Sequence, residues 1–502
     1  MSANDVADFI VVGAGSAGSI VASRLASEGA DVVLIEAGGS DRRPDVRIPA
    51  GIASLYMTAN WKHQCAPDPS KGDALEGFPA GRIVGGSGSI NAMVYVRGRA
   101  SDYDGWADAG CEGWSYDDVL PHFKAIENWV GGADDYRGDS GPIPVSWCAH
   151  RNPVNEAFLA AGAEAGHRVN PDQNGRSQLG VSRTQVNQHR GLRVSSARAF
   201  LRPLPRDRRP RLFTKTAVSR IVIENGRAIG IECNGRRLRA RREVILSAGA
   251  IGSPTLLLRS GIGPSGATLD LGGVGANFQD HLVGTQWWES KVPTANTLGP
   301  LGALKGIGSL LIRGDGILTM SPFEAQIFTE EFQIAVSPMH YELDTGTGRM
   351  NVERVDGFTV YTVLMHPRAR GRVGLCDGKA KIEFPRLGDG DDTGRLLKGM
   401  RLARDVIDGS QAMRGIAGAY KNIGEQDHAW LARREMSIGH AVGTCRMGID
   451  DGSVVDPRLR VHGIDGLRVV DASVMPTLTS GNTNAPTMMI AHRAADLILD
   501  RI

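Results

Sequence analysis

The stretch DFIVVGAGSAGSIVASRLASEGADVVLIEAGG, residues 8–39, decides the fold. The β-branched run at its start predicts a buried strand, and the residues after the glycines follow a helical pattern. A second apolar run ends in Glu36, 18 residues past Gly18. This order of strand, glycine turn, helix, strand and acidic residue predicts a dinucleotide-binding α/β fold.

The three glycines of this turn have separate physical tasks. Gly13 allows the tight turn, Gly15 lets the backbone approach a pyrophosphate, and Gly18 lets the helix pack closely on the strand. The helix N-terminus offers free N–H groups to phosphate oxygens. Glu36 is suited to accept hydrogen bonds from ribose hydroxyls, which disfavours a ligand with a 2′-phosphate. This stretch fits both FAD and NAD, and a glycine turn without a ligand is the alternative.

A second glycine-rich loop favours the larger of these ligands. GRIVGGSGSINAMVYVRG, residues 81–98, begins with a run that cannot be regular helix or strand and then alternates like a strand. One glycine loop is enough for one pyrophosphate. A second loop indicates a larger, two-ended cofactor, and so favours a flavin dinucleotide over NAD.

Length, charge and cysteine usage narrow the function classes. The 502 residues predict two domains, or one large domain with a second built into it. A net charge of +2 gives no broad field for nucleic acid or an anionic membrane. The six cysteines are scattered without metal-ligand spacing, so we expect no metal and a cytoplasmic protein with reduced thiols. No signal peptide, membrane span or membrane-binding amphipathic helix is predicted.

Several separated stretches resemble the glucose–methanol–choline (GMC) oxidoreductase family. They are residues 81–98, VILSAGAIGSPTLLLRSGIGP at 244–264, VGANFQDH at 274–281, HAVGTCRMG at 440–448, and the C-terminal segment 465–498. They occur in the order that the family has, and only residues 285–430 or so carry no recognisable motif. A set of such signatures in order is far more specific than any one of them.

The resemblance implies an α/β, Rossmann-like FAD-binding domain and an α+β substrate domain with an antiparallel sheet. We expect residues 1–155, 186–282 and 437–502 in the FAD domain, and residues 156–185 and 283–436 in the substrate domain. Residues 214–250 agree with this division. They read as short strands with turns at Asn225-Gly226 and Asn234-Gly235, returning to the FAD domain.

The motif matches imply which residues lie along the FAD. They are Gly13, Gly15, Ser16, Ala17, Gly18, Glu36, Ala37, Arg82, Gly85, Gly86, Asn91, Ala92, Met93, Val94, Val218, Ala248, Gly249, Asp471, Ala472, Asn482 and Thr483. Some family members bond the flavin covalently to a histidine in the first signature. Ile90 stands at that position here, so the resemblance implies a noncovalent FAD.

The resemblance also implies a catalytic pair, His440 and Asn482. Alcohol oxidation needs a base for the hydroxyl proton, and histidine suits that task because its ordinary pKa lies near neutrality. Asn482 would orient the oxygen without titrating, and it is also a candidate cap for the final helix. Two departures are Ala441, where many members have proline, and His492, where glutamate is common.

The predicted reaction is oxidation of a small primary alcohol, aromatic or polar, to its aldehyde, with O2 or another electron acceptor. Trp288 and Glu324 are candidates for the substrate pocket, the first for an aromatic alcohol and the second for a cationic amine. A core tryptophan is an equally good interpretation of Trp288. The alternatives are a choline or sugar-alcohol dehydrogenase of the same family and a hydroxynitrile lyase-like enzyme with structural FAD. The sequence leaves the oligomeric state open.

Overall fold

The computed structural model describes residues 5–344, 347–422, 424 and 427–502. The quoted N-terminal stretch forms the strand Val6–Val12, the helix Ser16–Ser27 and the strand Val32–Ile35. Both strands are apolar and largely buried, as the centre of a parallel sheet requires. They pair in parallel with each other, as the dinucleotide motif predicted.

The first sheet has seven strands. Their order is Arg211–Phe213, Val32–Ile35, Val6–Val12, Arg236–Leu246, Arg227–Cys233 and Val218–Glu224, with Leu467–Val469 pairing Arg236–Leu246 beside this path. The last three strands of the path form an antiparallel meander with the two predicted turns. Asn225 and Gly226 have φ values of 52° and 76°, which suits a two-residue hairpin turn of asparagine and glycine.

The second sheet also has seven strands, all antiparallel. Their order is Ala417–Tyr420, Leu282–Ser290, Gly357–Leu364, Phe332–Ser337, Ala325–Phe328 and Gly180–Arg183, with Glu435–Met436 pairing Leu282–Ser290. The structure therefore confirms the predicted fold class, an α/β domain with an α+β domain around an antiparallel sheet.

The two faces of the second sheet have different partners. Residues alternate across a strand, so Phe358, Val360 and Leu364 pack in the core beneath the helix Gly390–Gly409. Tyr361 and Val363 point to the opposite face. That opposite face borders the candidate active site.

Eleven helices are assigned in the described residues. They are Ser16–Ser27, Pro44–Arg47, Ile52–Thr58, Ala100–Asp108, Tyr116–Ile126, Pro153–Glu164, Gly249–Arg259, Pro300–Ile312, Gly390–Gly409, His428–Ala432 and Asn484–Ile498. Short 3-10 segments include Gly86–Ser89, Ile317–Thr319 and Ala472–Val474. In the described part of the chain, no helix is both long enough and apolar enough to cross a membrane.

The remaining strands are short and form small sheets. They are His63–Gln64, Gly77–Phe78, Glu127–Trp129, Ile143–Trp147, Gln185–Val186, Gln188–His189, Leu192–Arg193, Ile262–Gly263, Leu269–Asp270, Tyr341–Asp344, Arg349–Val352, Arg372–Cys376 and Lys379–Glu383. The expected domain border at 155/156 falls inside the helix Pro153–Glu164, which packs on the second sheet. A border at the start of this helix fits its packing better.

Candidate active site

A cavity of about 770 Å3 extends from the glycine turn of the first sheet to the second sheet. Most of the residues expected along the cofactor line it. They are Gly13, Gly15, Ser16, Ala17, Glu36, Ala37, Gly86, Asn91, Ala92, Met93, Val94, Val218, Ala248, Gly249, Asp471, Ala472, Asn482 and Thr483. These residues come from five distant parts of the chain, and the fold brings them to one surface.

The two glycine loops pack against each other. The Gly85 N–H donates to the Ala14 carbonyl at 2.7 Å, and a Cβ on Gly86 would lie 2.8 Å from the Gly15 Cα. A Cβ on Gly18 would lie 1.9 Å from the Gly13 carbonyl oxygen, so Gly18 serves helix–strand packing. Gly18 and Gly85 are therefore not on the cavity wall. A Cβ on Gly15 would meet nothing nearer than 3.9 Å, so the open space at Gly15 faces the cavity.

Glu36 is buried at the end of its strand, where the sequence predicted it. Its carboxylate accepts hydrogen bonds from the Ala14 N–H at 3.0 Å and the Gly38 N–H at 2.7 Å. Burial nevertheless raises the pKa of Glu36 to about 7. Each carboxylate oxygen has a further lone pair, which leaves acceptors for ribose hydroxyls in the cavity.

Three helices begin at the cavity, at Ser16, Gly249 and Asn484. The first N–H groups of a helix have no partner within the helix and carry a partial positive charge, so they favour phosphate oxygens. Asp471 supports one of these ends, since it accepts hydrogen bonds from the Gly249 N–H at 2.9 Å and the Ser253 hydroxyl at 2.6 Å. The other two helix ends and the two glycine loops on this cavity fit a dinucleotide with a diphosphate in its middle.

Two residues from the first signature are held in unusual environments. Met93 is fully buried with a φ of 63°, a value that residues other than glycine rarely adopt. Its N–H donates to the Asn91 side-chain oxygen at 2.9 Å, and the buried Arg193 guanidinium donates to the same oxygen at 2.8 Å. These contacts keep both residues on the cavity wall.

Besides Gly18 and Gly85, three expected site residues lie away from the cavity. Arg82 is exposed, with its guanidinium over the ring of Trp61. Trp288 is on the helix-facing side of its strand, stacked on Phe358 at 5.5 Å, because the two-residue period turns it away from the cavity-facing Val283. The interpretation of Trp288 as a core residue fits this placement.

Glu324 is the third residue outside the cavity. It is fully buried, accepts a hydrogen bond from Asn155 at 2.6 Å and pairs with His150 at 2.9 Å. Its neighbour Phe323 lines the cavity instead. Phe323 and Glu324 are consecutive residues, and only the first of them reaches the cavity. Glu324 therefore has no access to a substrate amine there.

The predicted catalytic pair is brought together, although His440 and Asn482 are 42 residues apart. The His440 Nε2 lies 3.2 Å from the Asn482 amide nitrogen, and both residues line the cavity. Asn482 precedes the N-cap of the last helix, which is Thr483, so Asn482 is not the cap that the sequence suggested. Burial lowers the pKa of His440 to about 4, which keeps the imidazole neutral at neutral pH.

A second histidine determines which nitrogen of His440 carries the proton. The His281 Nε2 lies 3.2 Å from the Thr479 carbonyl oxygen, which only accepts, so this nitrogen must carry a hydrogen. The His281 Nδ1 is then an acceptor, and it receives the hydrogen bond that His440 Nδ1 donates at 2.9 Å. The His440 Nε2 is therefore the unprotonated nitrogen, and it accepts a hydrogen bond from the Asn482 amide at 3.2 Å in the cavity.

Asn482 has its own orienting partner. The Gln333 amide donates to the Asn482 side-chain oxygen at 3.3 Å, so the Asn482 NH2 group is turned towards His440 and the cavity. Gln333 also donates to Gln326 at 2.8 Å, and Gln326 donates to Gln173 at 2.5 Å. This buried amide chain fixes which end of Asn482 is presented.

A buried charge network fixes the loop that carries His440. The Asp280 carboxylate accepts hydrogen bonds from the His440 backbone N–H at 2.9 Å and from the Ser437 hydroxyl at 2.6 Å. Arg386 lies 3.4 Å from Asp280 and 2.9 Å from Glu435. These contacts orient the loop with alanine at position 441, without the proline that many family members have there.

The sequence did not point to the side chains around the reacting end. Asn482 and Gln333 border a small recess of about 10 Å3, whose other lining residues are Val283, Phe323, Ala335, Tyr361, Val363 and Ile438. The wider cavity adds Tyr56, Trp61 and Tyr341. Most of these lie in segments without a motif, so alternation along strands was the only available signal. His281 lies in a quoted motif, but its role depends on a contact across 159 residues.

His492 lies in the chain's last helix, away from this pair, and contacts His122 at 3.0 Å, beside Asp496. Two histidines and an acid thus meet without metal spacing in the sequence. Arg24 holds the Asp496 carboxylate at 2.8 and 3.0 Å, and Arg493 lies 3.3 Å from His122. These guanidinium groups oppose a metal cation, and we assign none.

Comparison with known proteins agrees with this geometry. Family models for the N- and C-terminal parts of GMC oxidoreductases match residues 7–283 and 367–491. The chain is 37% identical to an oxygen-dependent choline dehydrogenase of Sinorhizobium medicae, over 99% of this chain and 96% of the relative. It is 36% identical to the Brucella ovis protein of the same description, with the same coverage.

Solved structures share the fold. Pyridoxine 4-oxidase from Mesorbium loti superposes with a TM-score of 0.86 at 28% identity, over 97% of this chain and 98% of that one. The R554A variant of formate oxidase from Aspergillus oryzae superposes with a TM-score of 0.91 at 22% identity, over 100% of this chain and 99% of that one. A fungal aryl-alcohol oxidase gives 0.81 at 23%, over 99% of each chain. The glycine loops, the dinucleotide cavity and these matches agree: the chain belongs to the GMC oxidoreductase family, and it is an FAD-dependent oxidoreductase that acts on the CH–OH group of an alcohol.

Proposed function

We propose that this enzyme oxidises a small, neutral primary alcohol with an aromatic or heteroaromatic group to its aldehyde. His440 is the base and Asn482 is the hydrogen-bond donor to the alcohol oxygen. The observation that carries the proposal is the unprotonated His440 Nε2 beside the Asn482 NH2 group, in a cavity whose wall also carries the rings of Phe323, Tyr341 and Tyr361. The bound FAD supplies the acceptor for the hydride that leaves the alcohol carbon.

The chain's own groups account for the proton and the orientation of the alcohol. When the alcohol binds, its hydroxyl takes the place of the Asn482 N–H as the donor to His440 Nε2, and its oxygen accepts from the Asn482 NH2 group. Proton transfer to Nε2 leaves an imidazolium whose Nδ1–H remains bonded to His281. The Asn482 N–H then stabilises the negative charge that develops on the oxygen.

The charges of the cavity wall support a neutral substrate. Among the described lining residues the carboxylates are Glu36 and Asp471, and both are bonded to backbone N–H groups at the dinucleotide end. The lining cations are Lys62, Arg259 and Lys379. A positively charged substrate would therefore find no carboxylate partner near His440 among the described residues of the wall.

Choline is the second candidate, because relatives 36–37% identical over nearly the whole chain are described as choline dehydrogenases. Aromatic rings can bind a quaternary ammonium through their faces, and the cavity offers Tyr56, Trp61, Tyr341 and Tyr361. The described cavity wall has no carboxylate near His440 to pair with the ammonium group, and this weighs against choline. Sugar alcohols are disfavoured because the apolar side chains near Asn482, such as Phe323 and Ile438, offer no partners for several hydroxyls.

The supporting proposals concern the cofactor, the acceptor and the compartment. We propose a noncovalent FAD, because the buried Ile90 on the cavity wall has no group that could form a bond to the flavin.

All six cysteines are free, which supports a cytoplasmic location. They are Cys65, Cys111, Cys148, Cys233, Cys376 and Cys445. The electron acceptor is O2 or a second redox partner. The expected division into an FAD domain and a substrate domain is kept, with the border moved to residue 153.

The test is anaerobic reduction of the purified, yellow protein with a panel of aromatic alcohols, sugar alcohols and choline. Bleaching of the flavin band with an aromatic alcohol, and not with choline, supports the proposal. Readmitted air separates an oxidase from a dehydrogenase by the rate at which the colour returns. A His440→Ala variant should keep its FAD and lose most of its turnover. A yellow protein that no alcohol bleaches would instead favour the lyase-like alternative.

A further inference from the structure

The helix Pro300–Ile312, here called the apolar helix, exposes its hydrophobic side chains to solvent. Leu311 is 78% exposed and Ile312 is 86% exposed. Leu301, Leu304 and Ile307 are exposed as well. At 100° per residue these five side chains fall within an arc of about 140° on one side of the helix. The sequence analysis found no motif in this segment and predicted no membrane-binding amphipathic helix.

The opposite side of the apolar helix holds it to the protein. Gly306 is its buried residue, and a Cβ there would meet Ile317 and Leu318 at 2.8 and 3.3 Å. The side that contacts the protein is thus narrow, and the wide apolar side has no partner within the described chain. A contiguous apolar patch of this kind on a folded protein marks a surface that binds something.

The size of the patch argues against a second copy of the chain. Thirteen residues give a helix about 20 Å long, and a face about 10 Å wide then presents on the order of 200 Å2. A stable protein interface needs about 800 Å2 per partner. A lipid surface has no such threshold, since a helix can insert its apolar side chains singly between lipid head groups.

The charges around the apolar helix complement an anionic lipid surface. Lys305 is its one charged residue, Arg313 follows its end, and the backbone of Arg190 packs against Gly314. The acidic residue Asp315 is already bonded to Arg313 and Ser309. The Arg313–Asp315 pair is neutral, so the positive charge beside the apolar face comes from Lys305, with the exposed Arg190 near the end of the helix, and this is the sign of charge that an anionic lipid surface attracts.

The apolar helix is also connected to the cavity. The segment Ile317–Thr319 packs against Pro49–Gly51, and each of these leads directly into cavity-lining residues, Pro322 and Phe323 on one side and Ile52 and Tyr56 on the other. We propose that the apolar helix seats this enzyme on the surface of an anionic phospholipid membrane. Docking there brings the cavity close to molecules that dissolve in lipid. The membrane contact does not depend on the identity of the alcohol.

The test is sedimentation of the full-length, FAD-loaded protein with vesicles of phosphatidylcholine and phosphatidylglycerol. The wild type should sediment with the vesicles, and less of it should do so at high salt. The double variant L304E/L311E should bind at least about tenfold more weakly, because it puts two carboxylates on the inserting face. The control V130E/I449E adds the same charge at two exposed apolar positions elsewhere and should bind as the wild type does.

Tryptophan fluorescence provides a second test of whether the apolar helix enters the lipid. In L311W, vesicles should shift the tryptophan emission to shorter wavelength, because the indole enters the lipid interface. Flavin absorbance and the thermal midpoint of L304E/L311E should match the wild type, since both positions are on the surface. A wild type that stays in the supernatant at all vesicle concentrations refutes the proposal. A concentration-dependent dimer that L304E/L311E abolishes, without vesicle binding, would assign this face to a second copy instead.

Discussion

Replacing Gln333 by glutamate should make the turnover depend on pH in a way that the wild type does not. In the wild type the Gln333 amide donates to the Asn482 oxygen at 3.3 Å, which turns the Asn482 NH2 group towards the alcohol. The ionised carboxylate of the Q333E variant could only accept. Asn482 would then rotate to donate to it, and would present its oxygen to the alcohol and to the His440 lone pair.

The expected loss of turnover follows from the hydrogen-bond donor that Asn482 would no longer present to the alcohol oxygen. One oriented donor to a developing oxyanion contributes about 10²–10³ in kcat. Gln333 is 4% exposed, and burial raises the pKa of a carboxyl group, so the pKa of the introduced glutamate is expected between about 5 and 8. Below this pKa the protonated acid can donate to Asn482, and activity should return to within about tenfold of the wild type. Above it, kcat should fall about 100-fold.

The turnover of the wild type should change with pH in the opposite direction. His440 works as a base only when it is neutral, and burial lowers its pKa to about 4. The wild-type rate should therefore be flat from about pH 6 to about pH 9 and fall only as the pH approaches 4. Q333E should instead lose activity as the pH rises.

The assay is anaerobic stopped-flow reduction of the flavin by a saturating alcohol, from about pH 5 to about pH 9. Q333M is the matched control, because it removes the hydrogen bond without adding a charge. It should show a pH-independent loss of at most about tenfold, from one unsatisfied buried acceptor. A flat pH profile for Q333E, equal to that of Q333M, would refute the role of Gln333 in orienting Asn482.

Three further predictions concern the other parts of the site. His281→Phe should lower kcat at least about 100-fold with FAD retained, because the His440 proton is then free to move to Nε2; a rate within about threefold of the wild type would remove His281 from the mechanism. Asn482→Ala should cost about 10²-fold in kcat, the scale of one donor, and an unchanged rate constant would contradict its contact with the alcohol. Gly15→Ala should leave the fold intact, since its Cβ has 3.9 Å of space and its φ is −76°, but should weaken FAD binding. Gly18→Ala should lower the thermal midpoint instead, since its Cβ would lie 1.9 Å from the Gly13 carbonyl oxygen; equal flavin content and equal thermal stability of the two variants would disprove this division of tasks.

Local patterns in the sequence determined the first sheet and the cofactor surface. The turn at Gly13 to Gly18 and the acid at Glu36 lie within one strand–helix–strand unit, so their spacing along the chain carries the information. The asparagine–glycine turns at 225–226 and 234–235 are local in the same sense. The pairing of His440 with Asn482 came from motifs that resemble a family, and the fold brings these two side chains within 3.2 Å.

Only the tertiary structure decided what orients that pair and what surrounds it. The tautomer of His440 depends on His281, 159 residues away, and the amide of Asn482 depends on Gln333, 149 residues away. The side of the sheet that Trp288 faces depends on strand register, because a shift of one residue would turn its side chain from the core to the cavity. The apolar helix is the sharpest case. Hydrophobicity alone predicts that its side chains are buried, but whether anything covers them depends on how the rest of the chain packs.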